Sequence, residues 1–265
     1  MLKDIRFWAG SAFAVAVIFL ACWLPGKFVV PVLMYHSIGI AGTERDRANT
    51  VSPGSFDRQM RFIKESGYRV LTVDEYVEIT RSGGRFPPKS VVITFDDGLL
   101  DNFTNAYPVL IKYGIPSAMF VPSAYVGQVN SGWGQPQMSW DQLRAISAHG
   151  VTVGSHTSTH RYLPEISPDA ARGQIVDSKA VLEGKLGRRV DYFAYPSGGF
   201  SEGIKAMVRE AGYKAAFTTN RGEDRSNRDL YELKRIRPKD TDGSIVLWMK
   251  LSGYYNLIRD AQNPY

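Results

Sequence analysis

Two periods of apolar residues alternate along this chain. Short apolar runs, clearest in Ser90-Val91-Val92-Ile93-Thr94-Phe95, predict buried strands over 29–35, 70–73, 90–95, 117–121, 151–154, 192–195, 215–219 and 233–236. Between them lie stretches of helical spacing. Phe56, Met60 and Ile63 predict a helix over 55–66, stopped by Gly67. Asp74 is expected to cap a helix running to 80, and Ser139 one that ends near His149-Gly150. Ser167-Pro168 opens a long helix to 186, with proline at the first helical position. Further helices are expected over 101–113, 201–211 and 244–251, with loops over 38–53 and 83–89.

Strands regularly separated by helices predict a parallel α/β sheet. The pattern alone does not distinguish an open sheet from a barrel. Asp96, His156 and Ser197 each fall just after a strand, and chemistry in parallel α/β folds sits at the carboxyl ends of strands.

Residues 7–24 break this rhythm. They are eighteen residues without a charge, preceded by Lys3 and Arg6 and ended by Pro25-Gly26. About 20 apolar residues span a bilayer core, so the run reads as a membrane helix with the chain beyond Lys27 outside the cytoplasm. A cleaved signal peptide is the competing reading, but no small-x-small cleavage site is evident near its end. The chain therefore divides into a signal-anchor or signal peptide over 1–27 and one domain over 28–265. The localisation expected is extracytoplasmic, at the inner or cell membrane.

Composition narrows the classes. With 265 residues, 44% of them apolar, the chain is too hydrophobic for disorder and long enough for a large core. Cys22 is the single cysteine, so no disulfide forms within the chain. The net charge of +6 fits a basic soluble surface, or attraction to an anionic membrane or polymer. Basic residues are scattered and no nucleic-acid motif is present, so no nucleic-acid partner is expected.

Two segments carry chemistry. In Thr94-Phe95-Asp96-Asp97-Gly98, adjacent carboxylates end a buried strand. Like charges this close are costly unless a cation compensates, so a metal held by one with the other as free base explains the pair. An ordinary Asp-Gly turn is the plainer alternative. In Gly154-Ser155-His156-Thr157-Ser158-Thr159-His160, two histidines four apart are expected on one face of a helical turn. Imidazole nitrogens are common ligands of zinc and similar ions. Asp97, His156 and His160 together supply three ligands and leave a position open, as catalytic sites require.

These two segments resemble the first two motifs of the NodB-type polysaccharide deacetylases, carbohydrate esterase family 4, and the resemblance covers about 29–238. It implies a distorted (β/α) barrel, one divalent metal and hydrolysis of N-acetyl groups on amino sugars. By motif, Asp96 is similar to the general base, and Asp97, His156 and His160 to the metal ligands. Zinc is the first expectation for the ion, with cobalt, nickel or iron(II) as alternatives.

The third family motif is altered. Phe193-Ala194-Tyr195-Pro196-Ser197-Gly198 has Ala194 where the family places an arginine and Ser197 where it places a tyrosine. The Ser197 backbone N–H remains a candidate oxyanion donor, and Arg235 is a candidate replacement cation near Asp96. The family's late histidine is also absent, because no histidine follows His160. Residues 30–37, which contain His36, resemble the opening of the poly-N-acetylglucosamine deacetylases of exopolysaccharide systems. In that subgroup an early histidine supplies the acid, a role that suits a near-neutral pKa. Tyr35, Trp133 and Tyr195 are candidate sugar contacts, whereas Trp140 reads as core packing.

The resemblance thus implies a deacetylase acting on an extracytoplasmic amino-sugar polysaccharide, associated with exopolysaccharide synthesis or export machinery. Peptidoglycan deacetylation, deacetylation or deformylation of a lipid-linked sugar, and an inactive sugar-binding homologue are the alternatives.

Overall fold

A computed structural model describes residues 28–128 and 135–257. Its elements, in chain order, are β1 (Val32–Tyr35), β2 (Ser37–Ile38), α1 (Glu44–Arg47), β3 (Thr50–Val51), α2 (Pro53–Glu65), β4 (Arg69–Val70) and α3 (Val73–Ser82). Next come β5 (Ser90–Phe95), a π-helical turn (Asn102–Ala106) leading into α4 (Tyr107–Tyr113), β6 (Ala118–Val121), α5 (Trp140–Ala148) and β7 (Thr152–Ser155). The last are α6 (Pro168–Leu186), β8 (Tyr192–Ala194), α7 (Glu202–Glu210), β9 (Ala215–Phe217) and α8 (Ser244–Leu251).

Local chemistry accounts for most helix ends. The Ser139 hydroxyl accepts from the Gln142 N–H while the Gln142 side chain accepts from the Ser139 N–H, a capping box that starts α5. Ser167 caps α6, Pro168 opens it, and Gly187 ends it in the left-handed conformation. One expectation is corrected. Thr72, not Asp74, caps α3, because Glu75 stands three residues on and closes a capping box with it. The expected loop over 38–53 also holds more structure than its composition suggested: β2 and β3 pair in parallel there.

The main sheet is parallel, in the order β1-β5-β6-β7-β8-β9, with β4 added beside β5. It curves into a half-barrel whose two edges are linked by 233–236. Leu233 bridges Phe217 of β9, and Ile236 bridges Leu33 of β1. The segment expected as a last strand is therefore two isolated bridges, held by Thr218 N–H to Leu233 O at 2.9 Å and Met34 N–H to Ile236 O at 2.8 Å.

Successive strand side chains face opposite ways, and here alternation separates two apolar layers. Val32, Val92, Phe120, Ala194 and Phe217 fill the inside of the half-barrel, while Leu33, Ile93, Met119 and Phe193 meet the helices outside. Gly154 is required where it stands, since a Cβ there would lie 2.5 Å from the Phe120 ring. Counting on by twos from the inner residues leads to His36, Asp96 and His156 at the carboxyl ends of β1, β5 and β7. The barrel mouth thus collects polar groups by strand parity.

Residues 7–24 and Trp133 lie outside the described residues. Among the described residues, no helix is long and apolar enough to cross a membrane.

Candidate active site

A cavity of about 700 Å³ opens at this mouth, lined by His36, Asp96, Asp97, His156, His160 and Arg235 among others. That volume suits a small organic ligand. Asp97 and His160 both adopt left-handed backbone conformations, with φ of 74° and 52°, as do Thr157 and Ser197. Such conformations are uncommon for residues other than glycine, and they cluster at functional sites. The two histidines accordingly do not sit on a helical turn, as the spacing suggested. A tight turn after β7 folds back and brings the rings to a centroid separation of 4.7 Å, edge to face.

Asp97, His156 and His160 converge, with one ligand atom from each within 4.8 Å of the others. Asp97 Oδ1 lies 3.6 Å from Nε2 of His156 and 3.6 Å from Nε2 of His160. This oxygen is buried and has no hydrogen-bond partner. A buried unpaired acceptor is costly, and two imidazole nitrogens facing it make a donor set that fits a divalent cation. Burial, reinforced by the Asp96 charge, pushes the Asp97 carboxyl up to about 8 in the absence of such a cation. Burial likewise lowers both imidazoles. His156 Nδ1 lies 2.7 Å from the carbonyl of Ala194. A carbonyl partner there must take the Nδ1 proton, which leaves the Nε2 lone pair facing Asp97. The residue that lacks the family's arginine side chain thus orients a candidate ligand through its backbone.

Asp96 has the opposite surroundings. Arg235 forks onto it, Nη1 donating to Oδ1 at 2.7 Å and Nη2 to Oδ2 at 2.6 Å. Arg235 is itself fixed by bonds from Nε to the Thr218 carbonyl and from Nη1 to Thr94 Oγ1. Burial raises the Asp96 carboxyl, but the Arg235 guanidinium and nearby imidazoles outweigh it and hold it well below the usual carboxylate range. It is therefore ionised, as a base must be.

His36 Nε2 stands 3.9 Å from Asp96 Oδ2, and its carbonyl accepts from Asn102 Nδ2 at 2.6 Å. Burial drives this imidazole down to about 3, only partly offset by Asp96. Ser197 lines the same cavity, its carbonyl held by Arg221 Nε at 2.9 Å.

Two expected sugar contacts are corrected. Tyr35 stacks on Phe95 at 5.5 Å and donates to Gln59 Oε1 at 2.8 Å, outside the half-barrel. Tyr195 is buried, and its hydroxyl donates to the Tyr231 carbonyl at 3.0 Å. Neither lines the cavity, because strand parity turns both toward the helices. Trp140 packs partly buried against the outer core. Arg237, which carries no motif signature, does line the cavity, and its buried Nε has no partner.

A parallel α/β half-barrel with an ionised carboxylate beside a carboxylate–imidazole trio at its mouth is an arrangement suited to hydrolysis. The family model for polysaccharide deacetylases matches residues 83–216, and the chain belongs to that family. It is thus an amide hydrolase, an N-deacetylase. The Bacillus subtilis protein YxkH is 29% identical over 208 residues, 78% of this chain and 71% of that protein. The poly-beta-1,6-N-acetyl-D-glucosamine N-deacetylase of Staphylococcus aureus is 27% identical over 202 residues, 72% of this chain and 68% of its own. Among solved structures, the Streptococcus pyogenes deacetylase PplD in complex with acetate superposes with a TM-score of 0.74 at 28% identity, over 84% of this chain and 97% of that one.

Proposed function

We propose that this enzyme removes acetyl groups from N-acetylglucosamine units of a poly-N-acetylglucosamine-like polysaccharide outside the cytoplasm. One divalent ion, zinc first among the candidates, would be held by Asp97, His156 and His160. The observation that carries the metal reading is Asp97 Oδ1, buried, unpaired and 3.6 Å from two imidazole nitrogens. When bound, such an ion supplies Lewis-acid polarisation of a carbonyl and a water of lowered pKa. The polymer is proposed from the name of the Staphylococcus aureus relative and from the His36 segment.

The chain's own residues account for the proton movements. Asp96, oriented through both oxygens by Arg235, takes a proton from a water in the cavity. That water attacks the acetamide carbonyl carbon, and the Ser197 backbone N–H serves the developing oxyanion. Burial leaves His36 neutral at rest, below the near-neutral value expected of an acid, so it acts by relaying the proton taken up by Asp96 to the leaving nitrogen as the carbon–nitrogen bond breaks. Acetate and a free amine result. His36 Nε2 is 3.9 Å from Asp96 Oδ2, close enough for the two to exchange a proton through small motions.

The domain would follow an anchor over 1–27, which holds it at the outer face of the membrane near the machinery that makes or exports the polymer. Metal analysis of the full chain, coupled to product analysis on β-1,6-linked N-acetylglucosamine oligomers, tests the reading. About one ion per chain with acetate release is expected. Formate release from a lipid-linked sugar, or acetate release from peptidoglycan fragments alone, would replace the proposed substrate.

A further inference from the structure

Helix α8 is inverted in its charge relative to an ordinary surface helix, which turns charge outward, and it carries apolar residues on both faces. Its one charged residue, Lys250, is buried, with Nζ donating to Asp242 Oδ2 at 2.5 Å and to the Arg237 carbonyl at 2.9 Å. Leu247 and Leu251 face the core. Ile245, Trp248 and Met249, spaced i, i+3 and i+4, point outward with exposures of 77%, 57% and 40%. Scattered exposed apolar residues are normal, but a contiguous face of them marks an interaction site.

The start of the described chain lies at the same place. Val29 N–H donates to the Gly253 carbonyl at 2.9 Å, two residues past α8, and the Phe28 ring meets Tyr254 edge-on at 5.9 Å. Phe28 is itself 39% exposed and extends the apolar face. The uncharged run over 7–24 ends four residues before Phe28. Four residues span at most about 14 Å fully extended. If that run enters a bilayer, Phe28 lies within that reach of the membrane face, and the segment just after α8 packs beside it.

From the inverted helix and this tether we infer that the outer face of α8, with Phe28, is a lipid-contacting surface that seats the domain on the bilayer. The inference rests on the anchor reading for its geometry. At eight residues α8 is roughly 12 Å long, too short to span, so it lies in the interfacial plane. Tryptophan is favoured at that depth. Lys250 Nζ holds the backbone carbonyl of Arg237, whose side chain lines the cavity, so α8 is tied to the wall of the catalytic pocket.

The test uses the full chain with Cys22→Ser, reconstituted in phosphatidylcholine–phosphatidylglycerol vesicles. A polarity-sensitive fluorophore is placed at one site per variant: Trp248→Cys, Ala16→Cys, or Val181→Cys on the exposed side of α6. The label at 248 should shift to the blue and be quenched severalfold more by lipid-borne nitroxide than the label at 181. A label at 248 that remains in water while the one at 16 is in lipid overturns the surface and leaves the anchor. Both labels in water overturn both readings. A label at 248 in lipid with the one at 16 in water keeps the surface and removes the anchor. A label at 248 hidden from water and from nitroxide overturns the inference, since a second copy or residues 258–265 then cover the face.

Discussion

Asp96 and Asp97 are neighbours in sequence and opposites in setting. Asp96 ends a strand, faces the inside of the half-barrel and gives both oxygens to Arg235. Asp97 turns out of the strand in a left-handed conformation and leaves Oδ1 with no hydrogen bond. Burial disfavours charge on both, yet one carboxyl is held low by a guanidinium and the other is pushed up to about 8. Two identical side chains thus acquire opposite ionisation from their partners alone, which is what the two proposed jobs, base and metal ligand, require. The one already neutralised is free to move protons. The one left uncompensated is poised for a cation that the chain does not itself provide.

The strongest way to break this division is to exchange the losses. Asp96→Asn should keep its metal while acetate release falls by at least about 10³-fold, since the base is gone and the ligands are not. Asp97→Asn should lose activity together with the metal. The readout that separates them is thermal stability with and without chelator. Ligand binding to the native state at about 100 times Kd is worth roughly 2.7 kcal/mol. Chelation should therefore lower the Tm of Asp96→Asn as it does the parent's, and leave that of Asp97→Asn unmoved. Equal chelator sensitivity in both variants would collapse the distinction. Next in size, His36→Ala should slow turnover by about 10²-fold with metal content unchanged, as loss of a general acid does. Metal loss in that variant would make His36 a ligand instead.

Arg235→Lys sharpens the other half of the comparison. Lysine keeps the charge but not the planar fork that meets both Asp96 oxygens. Losing one charge-assisted bond costs about 1.5–3 kcal/mol. A fall in Tm of several degrees, with turnover down by roughly 30-fold, is expected from melting curves and acetate assays. A variant with full activity would show that the orientation of Asp96 is set by something else.

What could be read in advance followed sequence locality. Asp96 with Asp97, and His156 with His160, each sit at the end of one strand, so a single short segment carries both members. The strand at 90–95, the cap at Ser139 and the helix from Pro168 to Leu186 were equally local. Arg235 was a candidate cation for Asp96 from its place at the last expected strand, and the fold brings the two together across 139 residues of sequence, with a fork onto both oxygens that no local pattern signals. The Ala194 carbonyl that orients His156 has no side-chain signature at all. The turn at 156–160 defeated helical spacing because Thr157 and His160 take left-handed angles that glycine usually signals. Tyr35 and Tyr195 are a different kind of miss. Alternation was already visible, and a strand that turns His36 inward must turn Tyr35 outward.

Arg237 is where the comparison extends beyond the two carboxylates. It stands two residues after Arg235, but Asp96 is already taken, and no ion pair among the described residues holds Arg237 in its place. Its backbone carbonyl is tied to Lys250 Nζ at 2.9 Å, while its guanidinium lines the cavity with Nε buried and unpaired. Beside the larger effect of burial, its charge lowers the nearby His36 and Asp97 groups, and a cation lining the cavity can also hold an oxygen of the substrate. Such a contact acts equally on bound substrate and transition state, so its loss raises KM and spares kcat. Arg237→Ala should raise KM for amino-sugar oligomers by about tenfold, equivalent to roughly 1.4 kcal/mol, with kcat within about twofold of the parent. Arg237→Lys should recover part of the loss. A fall in kcat at constant KM would move Arg237 into the proton chemistry with Asp96. No change in either constant would leave it a solvated charge at the rim, and the division of labour at the mouth would then end with Arg235.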